Sequence, residues 1–525
     1  MILQVTPIRY NSPLELWTDV FVFGLFLFWA LSGLFTGSIP WWNIISTLFE
    51  WLIKAIFGLL KLAFEILMAG YDVTTWIIDK YFLKPSKDFG SAQYLPKKKA
   101  KKLLSNKNRG LVIDGKQALS LNDSFKHLVV LGPTGSGKTT KFIIPNVLSI
   151  KNASMVVLDP SAEIYQLTAS YLRKQKFRIK MIDVSDVESS LKYNPLHRAT
   201  TFSEVQKIAE TLVDTAFPKA SADSDFWNQE AKLLITLLIK VLKSSPIHEC
   251  NLPEVRRLLN LIGVNDEKLD RLVAQCADDD LFSEYAAFSA KEEKLRGGIV
   301  STAKTALGKV SDPEIAELLA TDDLCLEEMR KRPCVLFIRV PEEQIRYYSY
   351  LISLLYNDIF NYCMKLPQKG ESYLPIFLLM DEFGNSGMLP SFSNVVTTAR
   401  KRMISISIIV QDFNQIVQLY GKEGAATILN GGITSRLILP GISHEASEEV
   451  SRILGEKTIS HSEQGYSRSD SGSHDKEMGR LLLRPDEIRC LPDHKAIFIT
   501  GNQRPLLLNT TPYYRIKTLL KKTKK

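Results

Sequence analysis

Six cysteines in 525 residues (Cys250, Cys276, Cys325, Cys334, Cys363 and Cys490) include no C-x-x-C pair and no regular framework. That excludes a zinc ribbon and a disulfide scaffold, and leaves reduced residues in a cytoplasmic body. The seven histidines show no H-E-x-x-H spacing, so a metal held by protein ligands alone is not expected. The extreme N-terminus is poor in cations: Arg9 stands alone before Glu15 and Asp19, which argues against a cleavable signal peptide. Between residues 200 and 323 nothing reads as a strand.

What is present begins with apolar length. Residues 20–39 carry no charge and are long enough to cross a bilayer, so a membrane anchor is expected over residues 1–80. The next stretch, residues 41–78, contains Glu50, Lys54, Lys61, Glu65 and Asp72. On a helix these project within an arc of about 60°. A second crossing with its polar stripe against a neighbour fits, as does a helix lying in the interface; length favours the crossing. Lys80, Lys84, Lys87 and the run at residues 97–102 follow, whereas residues 37–43 have no Lys or Arg. The positive-inside rule therefore puts everything beyond residue 80 in the cytoplasm, with the lysine run serving topology and lipid headgroups. A net charge of +9 suggests a polyanionic partner or a membrane surface.

The strongest chemical signal is Gly132-Pro133-Thr134-Gly135-Ser136-Gly137-Lys138-Thr139-Thr140, which follows the apolar run LVVL at residues 128–131. This is a P-loop: backbone N–H groups cradle phosphate, Lys138 neutralises β/γ charge, and the Thr139 hydroxyl reaches Mg²⁺. ATP and Mg²⁺ are the expected cofactors. A second apolar run, residues 374–380, ends in Asp381 and Glu382. Asp381 would hold the Mg²⁺ shell and Glu382 would polarise the attacking water. Residues 404–410 form a third run ending in Gln411, either a capped strand end or a γ-phosphate sensor. Arg400, Lys401 and Arg402 precede it as a solvated helix end or as the place of an arginine finger.

Strands are expected at residues 128–131, 155–159, 178–184, 334–340, 375–381, 404–411, 437–439 and 496–500, alternating with helical periods. The pattern predicts an α/β fold with a doubly wound, mostly parallel sheet, formed by residues 81–199 and 324–515. An all-helical insertion at 200–323 interrupts it. The run LLITLLI at 233–239 is too short to span a membrane and reads as core. Residues 460–474 read as a mobile polar loop, and residues 516–525 as a basic, solvated tail.

These motifs, with MVVLDPSAE at 155–163, YNPL at 193–196, DFWNQEA at 225–231, DEFG at 381–384, GRLLLRPDE at 479–487 and GSAQ at 90–93, resemble in order the type IV secretion coupling proteins of the TraG/VirD type. One departure is that Ser161-Ala162 stands where that family has Lys-Gly. The resemblance implies a RecA-like ATPase at the bacterial inner membrane that assembles as a homo-hexamer. It implies that DNA–relaxase or effector protein substrates are received at a secretion channel and moved by ATP hydrolysis. The helical insertion would face the substrate, and Arg400 falls at the family's arginine finger. Two other readings remain: a chromosome-type DNA pump, and a non-motor receptor in which ATP serves assembly.

Overall fold

The computed structural model describes residues 42–81, 88–218, 222–365, 373–463 and 474–524. The chain divides into a unit of residues 1–86 and a unit of residues 87–525. In the first, one helix, Trp42–Tyr81, is described, and Trp51, Leu59 and Leu67 on it are exposed. Among the described residues no helix is long and apolar enough to cross a membrane. The crossing expected over residues 41–78 therefore finds no support, its hydropathy being interrupted by the charges from Glu50 to Asp72. The apolar run at residues 20–39 lies outside the described residues.

The second unit is built on a nine-stranded sheet. Its strands are β1 (Leu128–Leu131), β2 (Ser154–Leu158), β3 (Arg178–Asp183), β4 (Cys334–Arg339), β5 (Ile376–Met380), β6 (Ile404–Val410) and β7 (Ser435–Ile438), with β10 (Lys495–Thr500) and β11 (Leu506–Asn509). Their order is β11-β10-β7-β1-β6-β5-β2-β4-β3. The seven strands from β1 to β7 are parallel; β10 and β11 join antiparallel. The central strands are continuous apolar runs because both faces are covered. Alternation splits them: Val129 and Leu131 pack into one core layer, Leu128 and Val130 into the other. Register then aligns the strand ends, with Leu131 opposite Val410 and Met380 opposite Ile408. The carboxyl ends of β1, β5 and β6 thus share one edge.

Between β3 and β4 the described chain is helical. Helices Phe202–Ala216, Ala222–Ser244, Leu252–Leu261, Asp266–Cys276, Asp279–Ser289 and Glu293–Ala306 follow one another. Four of these starts are set by caps: a Thr201/Glu204 capping box, then Asn251, Asn265 and Asp278, each accepting a backbone N–H. Leu234, Ile235, Leu238 and Ile239 are buried in the core layer shared with β1 and β2, whereas Leu233 points outward. Trp227 lies where a Cβ on Gly298 would be 2.5 Å from its ring, which ties the second of these helices to the last.

Two expectations need correction. The polar stretch at residues 460–474 is not a loop throughout: β8 (Glu456–Glu463) and β9 (His474–Leu481) form an antiparallel hairpin, whose connection lies outside the described residues. Its residues are mostly polar, with Ile459 and Met478 paired as an isolated apolar contact, so no alternation announced it. The preceding backbone holds it, with Ala92 N donating to Glu456 O and Thr458 N to Gly90 O. The C-terminal end is not simply solvated either. It forms the helix Lys517–Thr523, with Leu519 buried and Lys522 Nζ donating to Leu148 O at 2.7 Å while standing over the Tyr171 ring. The buried leucine anchors the helix although lysines surround it in sequence, and Lys522 lays its stem along the protein to reach a carbonyl and a ring.

Candidate functional site

The turn after β1 runs from Gly132 to Lys138. Gly132 N–H donates to Val410 O at 3.1 Å, and a Cβ there would lie 2.5 Å from Ser136 Oγ, so no side chain fits. Gly135 and Gly137 take φ of +83° and +88°, a region glycine enters without steric cost. Lys138 is only 7% exposed; its Nζ donates to Gly132 O at 3.1 Å and lies 3.6 Å from Glu382 Oε1. Lys141, which the sequence reading passed over, folds back to donate to Ser136 O at 2.7 Å and to Asp493 O at 2.8 Å.

Facing this turn, β5 delivers Asp381 and Glu382. Thr139 Oγ1 donates to Asp381 Oδ2 at 3.2 Å, and Asp381 Oδ1 accepts from Glu382 N–H at 3.1 Å. Burial, with the adjacent Glu382 carboxylate, pushes the Asp381 carboxyl up to about 6 against the opposing pull of Lys138. Glu382 is held in the left-handed region, φ 50° and ψ 38°, a strained setting for a residue with a Cβ. Its Oε2 accepts from Gln411 Nε2 and from Asn385 Nδ2, each at 3.3 Å. A buried ammonium, a hydroxyl–carboxylate pair and a carboxylate–amide pair therefore converge at the carboxyl edge. The hydroxyl–carboxylate pair supplies hard oxygen donors and a buried negative charge, which fits Mg²⁺ completed by substrate phosphate.

Of the residues read from sequence, the fold brings together Lys138, Thr139, Asp381, Glu382 and Gln411. It does not bring Arg400 to them. Arg400 is exposed in the turn Ala399–Arg402 that leads into β6. Gln411 follows the other end of that seven-residue strand, roughly 23 Å away at about 3.3 Å per residue. There Arg400 acts electrostatically on Asp123 and His127, at the entry to β1. Arg402 is committed elsewhere: its Nε donates to Met364 O, and a terminal nitrogen donates to Thr398 O at 3.2 Å.

Other buried polar groups around the sheet had no assigned role in the sequence. His127 is buried with φ of 57°; its Nδ1 accepts from Ile406 N at 3.1 Å, and burial holds its imidazole down at about 4. Asp159, after β2, accepts Ile164 N at 3.3 Å and Tyr165 N at 2.7 Å, starting the next helix; burial raises its carboxyl to about 6. Between them Ala162 sits at φ 59°, ψ 3°. Glycine is the residue suited to that conformation, which gives a physical reason for the Lys-Gly pattern from which this chain departs. Gln415 and Gly384 also meet behind Gln411; an i,i+4 glutamine pair was the one available hint.

Comparison with known proteins gives the chain a family and a fold. A family profile described as "Type IV secretory system Conjugative DNA transfer" matches residues 83–525. Protein VirD4 of Rhizobium radiobacter is 24% identical over 415 residues, covering 76% of this chain and 58% of that protein. The conjugal transfer protein TraG of Escherichia coli is 23% identical over 401 residues, covering 70% of this chain and 62% of that protein. The chain thus spans less than two thirds of the length of these relatives. Among solved structures, the unbound bacterial conjugative coupling protein TrwBdeltaN70 superposes with a TM-score of 0.65 at 18% identity, covering 82% of this chain and 95% of that one. The plasmid coupling protein TrwB in complex with ADP and Mg²⁺ gives a TM-score of 0.62 at 19% identity, covering 82% and 96%.

Proposed function

The chain belongs to the type IV secretory system conjugative DNA transfer family, and from that premise we propose that it is a membrane-anchored coupling ATPase. In this reading it receives DNA with its relaxase, or protein effectors, and drives them into a secretion channel at the inner membrane, working as a homo-hexamer. The observation that carries the proposal is the convergence of Lys138, Thr139, Asp381, Glu382 and Gln411 at the carboxyl edge of β1, β5 and β6.

The P-loop amides and Lys138 bind the phosphates of ATP, and Thr139 with Asp381 would hold Mg²⁺, whose charge screens the β/γ oxygens. Glu382 takes the proton of the attacking water, and the Gln411 carboxamide orients that water. Arg400 lies at the opposite sheet edge of its own protomer and serves the site of a neighbour. The helical segment between β3 and β4 receives cargo. With no recognisable helix-turn-helix or zinc finger, DNA is held through phosphates, so affinity falls steeply from low to physiological salt.

The deciding experiment compares two variants in ATP binding and hydrolysis. Lys138→Ala is expected to weaken binding, whereas Glu382→Gln keeps binding and loses turnover, because shape is preserved and only the basic charge is removed. Wild-type hydrolysis by Glu382→Gln would overturn the assignment.

A further inference from the structure

We propose that Gln415 is a positioning residue for the hydrolytic pair, aiming Gln411 and Glu382 through a carboxamide wedged between the two turns that carry them. The inference rests on reading Glu382 as the base and Gln411 as its partner, and adds the part that holds them in register.

The case begins where the sheet ends. Val410, the last residue of β6, uses its carbonyl to accept Gly132 N–H at 3.1 Å. The next amide, that of Gln411, donates to Gln415 Oε1 at 2.8 Å. Gln415 replaces the missing sheet partner, and so sets the peptide plane from which the Gln411 side chain departs. Its own backbone is anchored in the first turn of the helix Asn414–Ala426. Gln415 N donates to Asp412 O at 3.2 Å, and the Asp412 carboxylate accepts Asn414 N at 2.8 Å and Ser443 Oγ at 2.6 Å.

The other face of the same carboxamide lies on Gly384. A Cβ at that position would stand 2.5 Å from Gln415 Cδ, 2.6 Å from Oε1 and 2.8 Å from Nε2. A methyl there would push the carboxamide from its place, and since Gly384 does not adopt a positive φ, this close approach is what glycine provides in the DEFG turn. That turn also carries Asn385, whose Nδ2 reaches Glu382 Oε2, the oxygen to which Gln411 Nε2 donates. The contacts close a circuit from Glu382 through Gln411, Gln415 and Gly384 back to Glu382. A shift of Gln411 is thereby passed to the turn holding the carboxylate, and misplacing a catalytic group by about 1 Å costs on the order of 10²-fold in rate.

Steady-state ATP hydrolysis by the full chain tests this, with melting temperature measured alongside. Gln415→Met keeps length and loses the acceptor; kcat is expected to fall about 10–100-fold, the range for removing a residue that orients a reacting group. KM for ATP stays within roughly threefold, because the contact acts on the reacting geometry rather than on binding. Gly384→Ala should produce a comparable loss by displacing the carboxamide. The double variant Gly384→Ala/Gln415→Ala should be no slower than Gln415→Ala alone, since the clash has gone. Wild-type kcat in Gln415→Met, losses that multiply in the double variant, or a fall in kcat explained by a smaller folded fraction would each overturn the proposal. Glu382→Gln separates the two readings: if it is inactive while Gln415→Met is normal, only the positioning role fails; if it hydrolyses normally, both fall.

Discussion

The two edges of the central sheet treat charge in opposite ways. At the carboxyl edge the Lys138 ammonium lies 3.6 Å from the Glu382 carboxylate, Asp381 accepts from the Glu382 N–H, and strained or glycine backbone carries the turns. At the amino edge Arg400 is exposed at the entry to β6, beside the buried, neutral His127 at the entry to β1. Burial and the neighbouring Glu382 carboxylate raise the cost of ionising Asp381, against the pull of Lys138, and a bound cation would relieve that cost. An exposed guanidinium meets no such cost in its own protomer, which suits a group whose partner lies on another copy.

The largest effect that could break this contrast concerns Arg400. If Arg400 serves as the proposed arginine finger, Arg400→Ala is expected to lower ATP turnover by about 10³–10⁵-fold with ATP affinity close to normal. Lysine should rescue poorly for want of the planar fork. Rings mixed from Arg400→Ala and Lys138→Ala protomers should recover hydrolysis that neither shows alone, because one interface type retains both groups. No recovery in confirmed mixed rings would place Arg400 outside the neighbour's site, and wild-type turnover by Arg400→Ala would remove it from the mechanism.

Next comes pH, where the edges should respond with opposite sign. His127 has a folded-state value near 4, below its unfolded value of 6.5. It therefore takes up a proton on unfolding, and its contribution to stability is present above pH 6.5 and lost as pH falls toward 4. Asp381 has a folded value near 6, above its unfolded 3.8, so its ionised form weakens the fold, and that cost disappears as pH falls from about 6 toward 4. His127→Gln should flatten the acid-side loss of melting temperature. Asp381→Asn should raise melting temperature at pH 7.5, with a gain that shrinks toward pH 4, while abolishing Mg²⁺-dependent nucleotide binding. Parallel pH dependence in the two variants would contradict the assignment of opposite strain to the two edges.

The smallest effect sharpens the picture of the carboxyl edge. Ala162 occupies the left-handed region after β2, so Ala162→Gly should relieve strain worth roughly 1–2 kcal/mol. Part of this is returned through the larger entropy of the unfolded glycine chain, about 0.4–1 kcal/mol. A net gain between zero and about 1.6 kcal/mol in denaturant titration is expected; a loss would mean that the buried methyl outweighs the backbone.

Much of the site was legible because the chemistry of phosphate binding constrains neighbours in sequence. The glycine spacing from Gly132 to Gly137, Lys138 and Thr139 is a local geometry, and the apolar runs ending at Leu131, Met380 and Val410 announce buried strands. The hairpin β8–β9 was illegible because a mostly polar ribbon has no periodic signature; its partner, residues 90–92, is more than 360 residues away in sequence. The C-terminal helix was missed for a related reason: Leu519 and Leu520 are a short apolar pair among lysines, and only the core layer that holds Leu148 makes Leu519 an anchor.

Sequence alone determined which groups could bind and polarise a nucleotide, since those identities and their local spacing are covalent facts. Tertiary structure decided which of them meet. Parallel strand direction sends Gln411 to the P-loop and Arg400, eleven residues earlier, to the far edge, and the absent Cβ of Gly384 lets Gln415 reach the end of β6. Neither outcome is encoded in any short stretch of chain, because strand order and side-chain approach arise when segments hundreds of residues apart share one sheet and one core.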